Sequence, residues 1–203
     1  GGLVLRWYLG KRGNALGPSI LAAIQSPIVG GEISSGWGKD RSYRANDEDP
    51  DPKHRGIDVP MSTGTPVYSI ADGTVRRVST SNTTTAGKYV EVDHPALALI
   101  SRYLHLDTVV GFETGTVITA GTQVGTVGST GTKRTSPHLH LSICSTDLDR
   151  YIAQFGDFPR APSSDTRISG CTPVPAEPLI PLPWRDSAMQ ASLAQGLTVR
   201  GIA

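Results

Sequence analysis

Cysteine is scarce in this chain: 203 residues include only Cys144 and Cys171. Neither stands in a Cys-x-x-Cys pair, which argues against structural zinc held by closely spaced thiolates. Two choices remain, a pair of buried thiols or one disulfide. A lone pair of cysteines able to close one loop favours the disulfide, a common device in exported proteins. An excess of charge is lacking too, since the net charge is +1 and charged residues make up 18%. Composition therefore gives no electrostatic footing for DNA, RNA or an anionic membrane. No apolar run approaches the roughly 20 residues that a bilayer-spanning helix needs.

Turn formers are plentiful, with 23 Gly and 15 Pro beside 37% hydrophobic residues. That mix, with regular apolar spacing, predicts a turn-rich and strand-rich globular protein. Short β candidates cover residues 66–70, 73–78, 88–93, 97–104, 116–118, 123–127 and 139–143. Between them lie Asp72-Gly73, Gly111, Gly115, Ala120-Gly121 and Gly128 to Gly131. Glycines there permit tight hairpins, so the region reads as an antiparallel sheet folded on itself. Residues 39–53 and 80–87 form polar loops, the first acidic and without the glycine bend and closing glutamate of a calcium loop. After Thr146 the β pattern stops. Residues 147–155 suit one or two helical turns, and residues 16–25 and 187–193 could each form a short helix. The chain divides into an N-terminal extension (1–32), a core domain (33–155) and a Pro-rich C-terminal extension (156–203) packed on it.

Four of the five histidines fall into three short motifs. His138 and His140 are two apart, so on a strand both imidazoles face one side while Leu139 and Leu141 face the other. A single strand histidine is ordinarily a packing residue; two on one face point to a metal or to proton transfer. His54 and Asp58 are four apart, and Gly56 with Pro60 argues against a helix there. Taken alone that pair is a weak signal, but an extended segment lets both side chains converge. His105 follows an apolar run, where the ordinary reading is a strand-end histidine. His94, before Pro95, reads as a turn residue.

Together these motifs resemble the M23 family of zinc metallopeptidases, the LytM and lysostaphin type of peptidoglycan endopeptidase. The likeness spans residues 33–145. It rests on His54-Arg55-Gly56-Ile57-Asp58, Tyr103-Leu104-His105-Leu106 and His138-Leu139-His140. The phrases Gly64-Thr65-Pro66-Val67, Ala71-Asp72-Gly73-Thr74-Val75 and Gly125 to Gly131 fall in the family's order, and Ser35-Gly36-Trp37-Gly38 resembles its opening loop. The resemblance implies a mainly β fold, an antiparallel core with long loops walling a groove and few short helices. It implies one zinc ion held by His54, Asp58 and His140, with His105 and His138 as catalytic histidines beside it. The implied activity is hydrolysis of peptide bonds in the stems or cross-links of bacterial peptidoglycan, outside the cytoplasm, by a bacterial or phage protein. The alternative is a non-catalytic wall-binding or hydrolase-activating module of the same fold; a zinc carboxypeptidase of another architecture fits less well.

Overall fold

Strand β9 (His138–Ser145) shows how the sequence builds its sheet. Half-buried His138, His140 and Ser142 alternate with fully buried Leu139, Leu141 and Ile143. Such alternation is stable only when one face meets a core, and each fully buried Leu or Ile contributes about 1.5–3 kcal/mol. The structure, a computed structural model, describes residues 23–39, 53–132, 136–158 and 170–183.

The strands are β1 (Ile57–Pro60), β2 (Pro66–Tyr68), β3 (Gly73–Ser79), β4 (Lys88–His94), β5 (Leu99–Leu106), β6 (Thr108–Val109), β7 (Val117–Ile118), β8 (Gln123–Thr126), β9, and β10 (Thr172–Val174). One helix, α1 (Leu148–Phe155), follows β9. Asp147 caps it by accepting from the Arg150 N–H at 3.0 Å, so the one or two turns expected at 147–155 form there. The larger sheet runs β1-β9-β5-β4-β3-β7 and the smaller β2-β8-β6, all pairs antiparallel. The mainly β architecture and the short strands agree with the sequence.

Three particulars differ or lie elsewhere. The candidate strand at 97–104 starts and ends two residues later, because Pro95–Leu97 forms a 3-10 turn closed by left-handed Ala98 (φ 54°). His105 consequently lies inside β5. The β pattern does not end at Thr146: β10 pairs with β9, Val174 opposite Ile143. Cys171, disulfide-bonded to Cys144 of β9, brings that segment to the sheet edge, where local sequence pattern carries no signal. Ile24 and Ile28, in the stretch read as an N-terminal extension, join the core, and the Gln25 N–H donates to Ile70 O at 2.7 Å. The helix expected at 187–193, most of the one at 16–25 and the acidic loop lie outside the described residues.

A buried polar chain crosses the core beneath β4 and β5. His94 Nε2 stands 2.8 Å from Ser101 Oγ, which lies 3.1 Å from Tyr103 Oη; that phenol accepts from the Ile70 N–H at 2.8 Å. His94 Nδ1 donates to Asp72 O at 2.8 Å. His94 is thus a fully buried structural residue at the end of β4, and every polar atom in the chain has a partner, as burial demands.

Candidate metal centre

The register of β1 against β9 assembles the site. Asp58 pairs directly with His140, and Pro60 with His138, so the carboxylate and both imidazoles rise from one face. Just before β1, His54 reaches the same point, because Gly56 lets the chain lie flat on β9. A Cβ at Gly56 would press into the Leu141 carbonyl oxygen and come within 3.0 Å of His140 Nε2. Across the sheet Leu104 pairs with His140, and the next residue, His105, has φ 62°. The register of β4 against β5 shifts beside it, between Lys88 and Val90. Bulge and left-handed backbone together turn His105 toward the site, with ring centroids 5.0 Å from His138 and 5.9 Å from His140. A left-handed histidine is strained, and such strain concentrates at functional sites. All five residues expected from the sequence therefore meet in one place.

Each imidazole has one nitrogen fixed by a neighbour. His54 Nδ1–H donates to Gly36 O at 2.8 Å, His105 Nδ1–H to Thr130 O at 2.9 Å, and His138 Nδ1–H to Ser136 O at 2.8 Å. A carbonyl can only accept, so in each neutral ring Nε2 is left with a lone pair. His140 is held the other way, its Nε2 lying 2.8 Å from Ser142 Oγ; with that proton given to the hydroxyl, Nδ1 holds the lone pair. Ligating histidines in metal sites have their second nitrogen tied in this manner. Thr130 also clamps the bulge, its Oγ1 donating to Leu106 O at 2.8 Å and accepting from the Lys88 N–H at 3.0 Å.

Three acceptors then converge. His54 Nε2 lies 3.1 Å from Asp58 Oδ1 and 3.1 Å from His140 Nδ1, and His140 Nδ1 lies 2.8 Å from Asp58 Oδ1. Ligands on a tetrahedron of zinc–nitrogen and zinc–oxygen length stand about 3.3 Å apart, so the donor set fits one small divalent cation with slight relaxation. His54, Asp58 and His140 form the only His, Cys, Asp or Glu group of this kind among the described residues. Burial by itself would raise the Asp58 carboxyl; hydrogen bonds and charge from His140 and His54 overcome this and hold it far below the usual carboxylate range. Burial pushes His140 down to about 4, against the pull of Asp58. An ionised carboxylate beside a neutral His140 suits a cation.

The remaining supports were not legible in the sequence. Ser142 carried a faint signal, being two residues beyond His140 on the same strand face. Ser136 and Gly36 act through backbone carbonyls, which leave no mark on residue type; Thr130 acts through its carbonyl and, at the bulge, its hydroxyl. Glu177 had none: it comes from the Pro-rich segment after β10, and its Oε1 accepts from the Trp37 N–H. Burial pushes the Glu177 carboxyl up, and the Trp37 N–H pulls it back.

Peptidase family M23 matches residues 52–150, which include all five site residues. The peptidoglycan DD-endopeptidase ShyA of Vibrio cholerae is 40% identical over 90 residues, 44% of this chain and 20% of ShyA. ShyC of the same organism, also a peptidoglycan DD-endopeptidase, is 32% identical over 136 residues, 67% of this chain and 29% of ShyC. The chain thus spans less than a third of the length of these relatives. A crystal structure of a zinc-containing peptidase from Vibrio cholerae superposes with a TM-score of 0.50 at 30% identity, covering 60% of this chain and 36% of that one. The family match places residues 52–150 of this chain in peptidase family M23.

Proposed function

We propose that this chain is a zinc-dependent endopeptidase that hydrolyses peptide bonds in the stems or cross-links of bacterial peptidoglycan, outside the cytoplasm. The observation that carries the reading is the convergence of His54 Nε2, Asp58 Oδ1 and His140 Nδ1 within 3.1 Å of one another, with His105 and His138 beside them. The substrate class is taken from the relatives, which are peptidoglycan endopeptidases by name. No helix among the described residues is long and apolar enough to cross a membrane.

His54, Asp58 and His140 would hold the ion, leaving the fourth position of a tetrahedron open, as hydrolytic zinc sites do. Bound zinc supplies Lewis acidity, polarising a carbonyl and bringing the pKa of water down toward 7. The chain's own residues do the rest. His105 and His138 both present Nε2 to the site, because their Nδ1 protons are committed to Thr130 O and Ser136 O. One imidazole accepts the proton of the attacking water and passes it to the leaving amine; imidazole has the intrinsic pKa for both tasks. The other, in its imidazolium form, donates from Nε2 to the oxygen on which negative charge develops. Their fixed tautomers mean that neither ring need reorganise before accepting a proton.

The test is digestion of purified cell walls with zinc-loaded protein, followed by mass spectrometry of the released muropeptides. Appearance of new amino and carboxyl termini within the peptide stems or bridges supports the reading. Zinc binding with intact walls after prolonged digestion would reject catalysis in favour of a binding or activator module.

A further inference from the structure

The peptide group joining Gly36 to Trp37 is hydrogen-bonded at both ends. Its carbonyl oxygen accepts the His54 Nδ1 proton at 2.8 Å, and its N–H donates to Glu177 Oε1. Three elements converge to build this relay. Residues 34–36 run along β1, with the Asp58 N–H donating to Ser35 O at 2.8 Å and the Ser34 N–H to Asp58 O at 2.9 Å. The segment carrying Glu177 enters on β10, which extends the same edge of β9 that β1 occupies, Val174 facing Ile143 and Ile57 facing Leu141. Tyr151 of α1 holds it there, its Oη donating to Pro175 O at 2.6 Å. Trp37 is itself fixed edge-on to Phe158 at 5.9 Å, and Phe158 edge-on to Tyr151 at 5.5 Å.

We infer that Glu177 is a positioning residue for the metal site, acting on His54 through the Gly36–Trp37 peptide. A hydrogen bond to the N–H of an amide draws electron density toward its oxygen, so successive bonds strengthen one another. The oxygen of Gly36 becomes a better acceptor, His54 Nδ1–H is held more tightly, and Nε2 becomes a more basic ligand. Metal-binding histidines commonly rest on a carboxylate directly; here a peptide group is interposed. The acidic end of this relay lies outside residues 52–150, on a segment tied to the sheet by the Cys144–Cys171 disulfide. The C-terminal segment thereby gains a part in the chemistry.

This inference rests on the proposed zinc site, and the experiment separates the two. Glu177→Gln keeps size and an acceptor oxygen while removing the charge; Leu179→Ala, a buried apolar residue two positions on, loosens the same segment without touching the relay. Zinc affinity is measured on the full chain by chelator competition. The Trp37 amide proton and the His54 ring nitrogens are followed by NMR in metal-free protein. Glu177→Gln should weaken zinc binding by about 10-fold or more, move the Trp37 amide proton upfield and shift the His54 nitrogens. Leu179→Ala should lower the thermal midpoint and leave zinc affinity per folded molecule unchanged. Wild-type zinc affinity in Glu177→Gln with an unmoved His54 signal overturns the inference, as does equal weakening by Leu179→Ala. Should the wild-type chain bind no zinc, the functional reading falls, and the metal-free NMR shifts alone judge the relay.

Discussion

His105 offers a sharp separation of catalysis from packing. Its backbone has φ 62°, a conformation that costs a non-glycine residue about 1–2 kcal/mol. Replacing it with glycine relieves that strain. The same change removes the hydrogen bond from Nδ1 to Thr130 O, worth about 1 kcal/mol net, and adds about 0.5–1 kcal/mol of backbone entropy cost. These contributions nearly cancel, so His105→Gly should leave stability within about 1 kcal/mol, a shift of about 2–4 °C in midpoint. Turnover should behave differently, falling by about 10²–10⁴ because a general acid–base group is lost. His105→Asn, whose side chain also tolerates the left-handed region, should match it in both respects. His138→Ala should likewise keep zinc and lose hydrolysis. Bound zinc, thermal midpoint and muropeptide release are measured on each variant. Release near the wild-type rate by His105→Gly would remove this residue from the mechanism. A midpoint drop of more than about 10 °C, with turnover per folded molecule unchanged, would make it a packing residue.

Asp58→Asn and His140→Ala should each lose zinc and hydrolysis together, since three ligands leave no redundancy; stoichiometric zinc after dialysis against a weak chelator would refute the ligand set. Opening the disulfide with Cys144→Ser and Cys171→Ser should destabilise the protein by about 3.5 kcal/mol, from loop-closure entropy across 27 residues of separation. Calorimetry checks this, and a midpoint within a degree or two of wild type would contradict it. Burial depresses the pKa of His94 below its ordinary 6.5, so the unfolded chain takes up the proton first. Its contribution is complete above about pH 6.5 and declines as pH falls toward the folded pKa, with a slope of up to about 1.4 kcal/mol per pH unit. Denaturant titrations between pH 7 and 5 should show that slope flattened in His94→Gln, and an identical slope in both proteins would exclude His94 as its source.

Much of the fold and site was written in local pattern. The alternation of β9, the glycine punctuation and the antiparallel sheet depend on side-chain period and backbone freedom, which residue type alone determines. The i, i+2 spacing put His138 and His140 on one face for the same reason, and the ordered motifs named His54, Asp58 and His105 as their companions. What they could not contain was register and long-range contact. Asp58 meets His140 only because β1 pairs with β9 in one register and no other. His105 reaches the site only because a bulge and a left-handed residue redirect β5. β10 and Glu177 join the sheet through a disulfide and a tyrosine hydrogen bond made far along the chain. Sequence determined which groups were available and which way each strand faced them. Tertiary structure decided which lone pairs met and which nitrogens were free, because both depend on distances between residues that the chain keeps far apart.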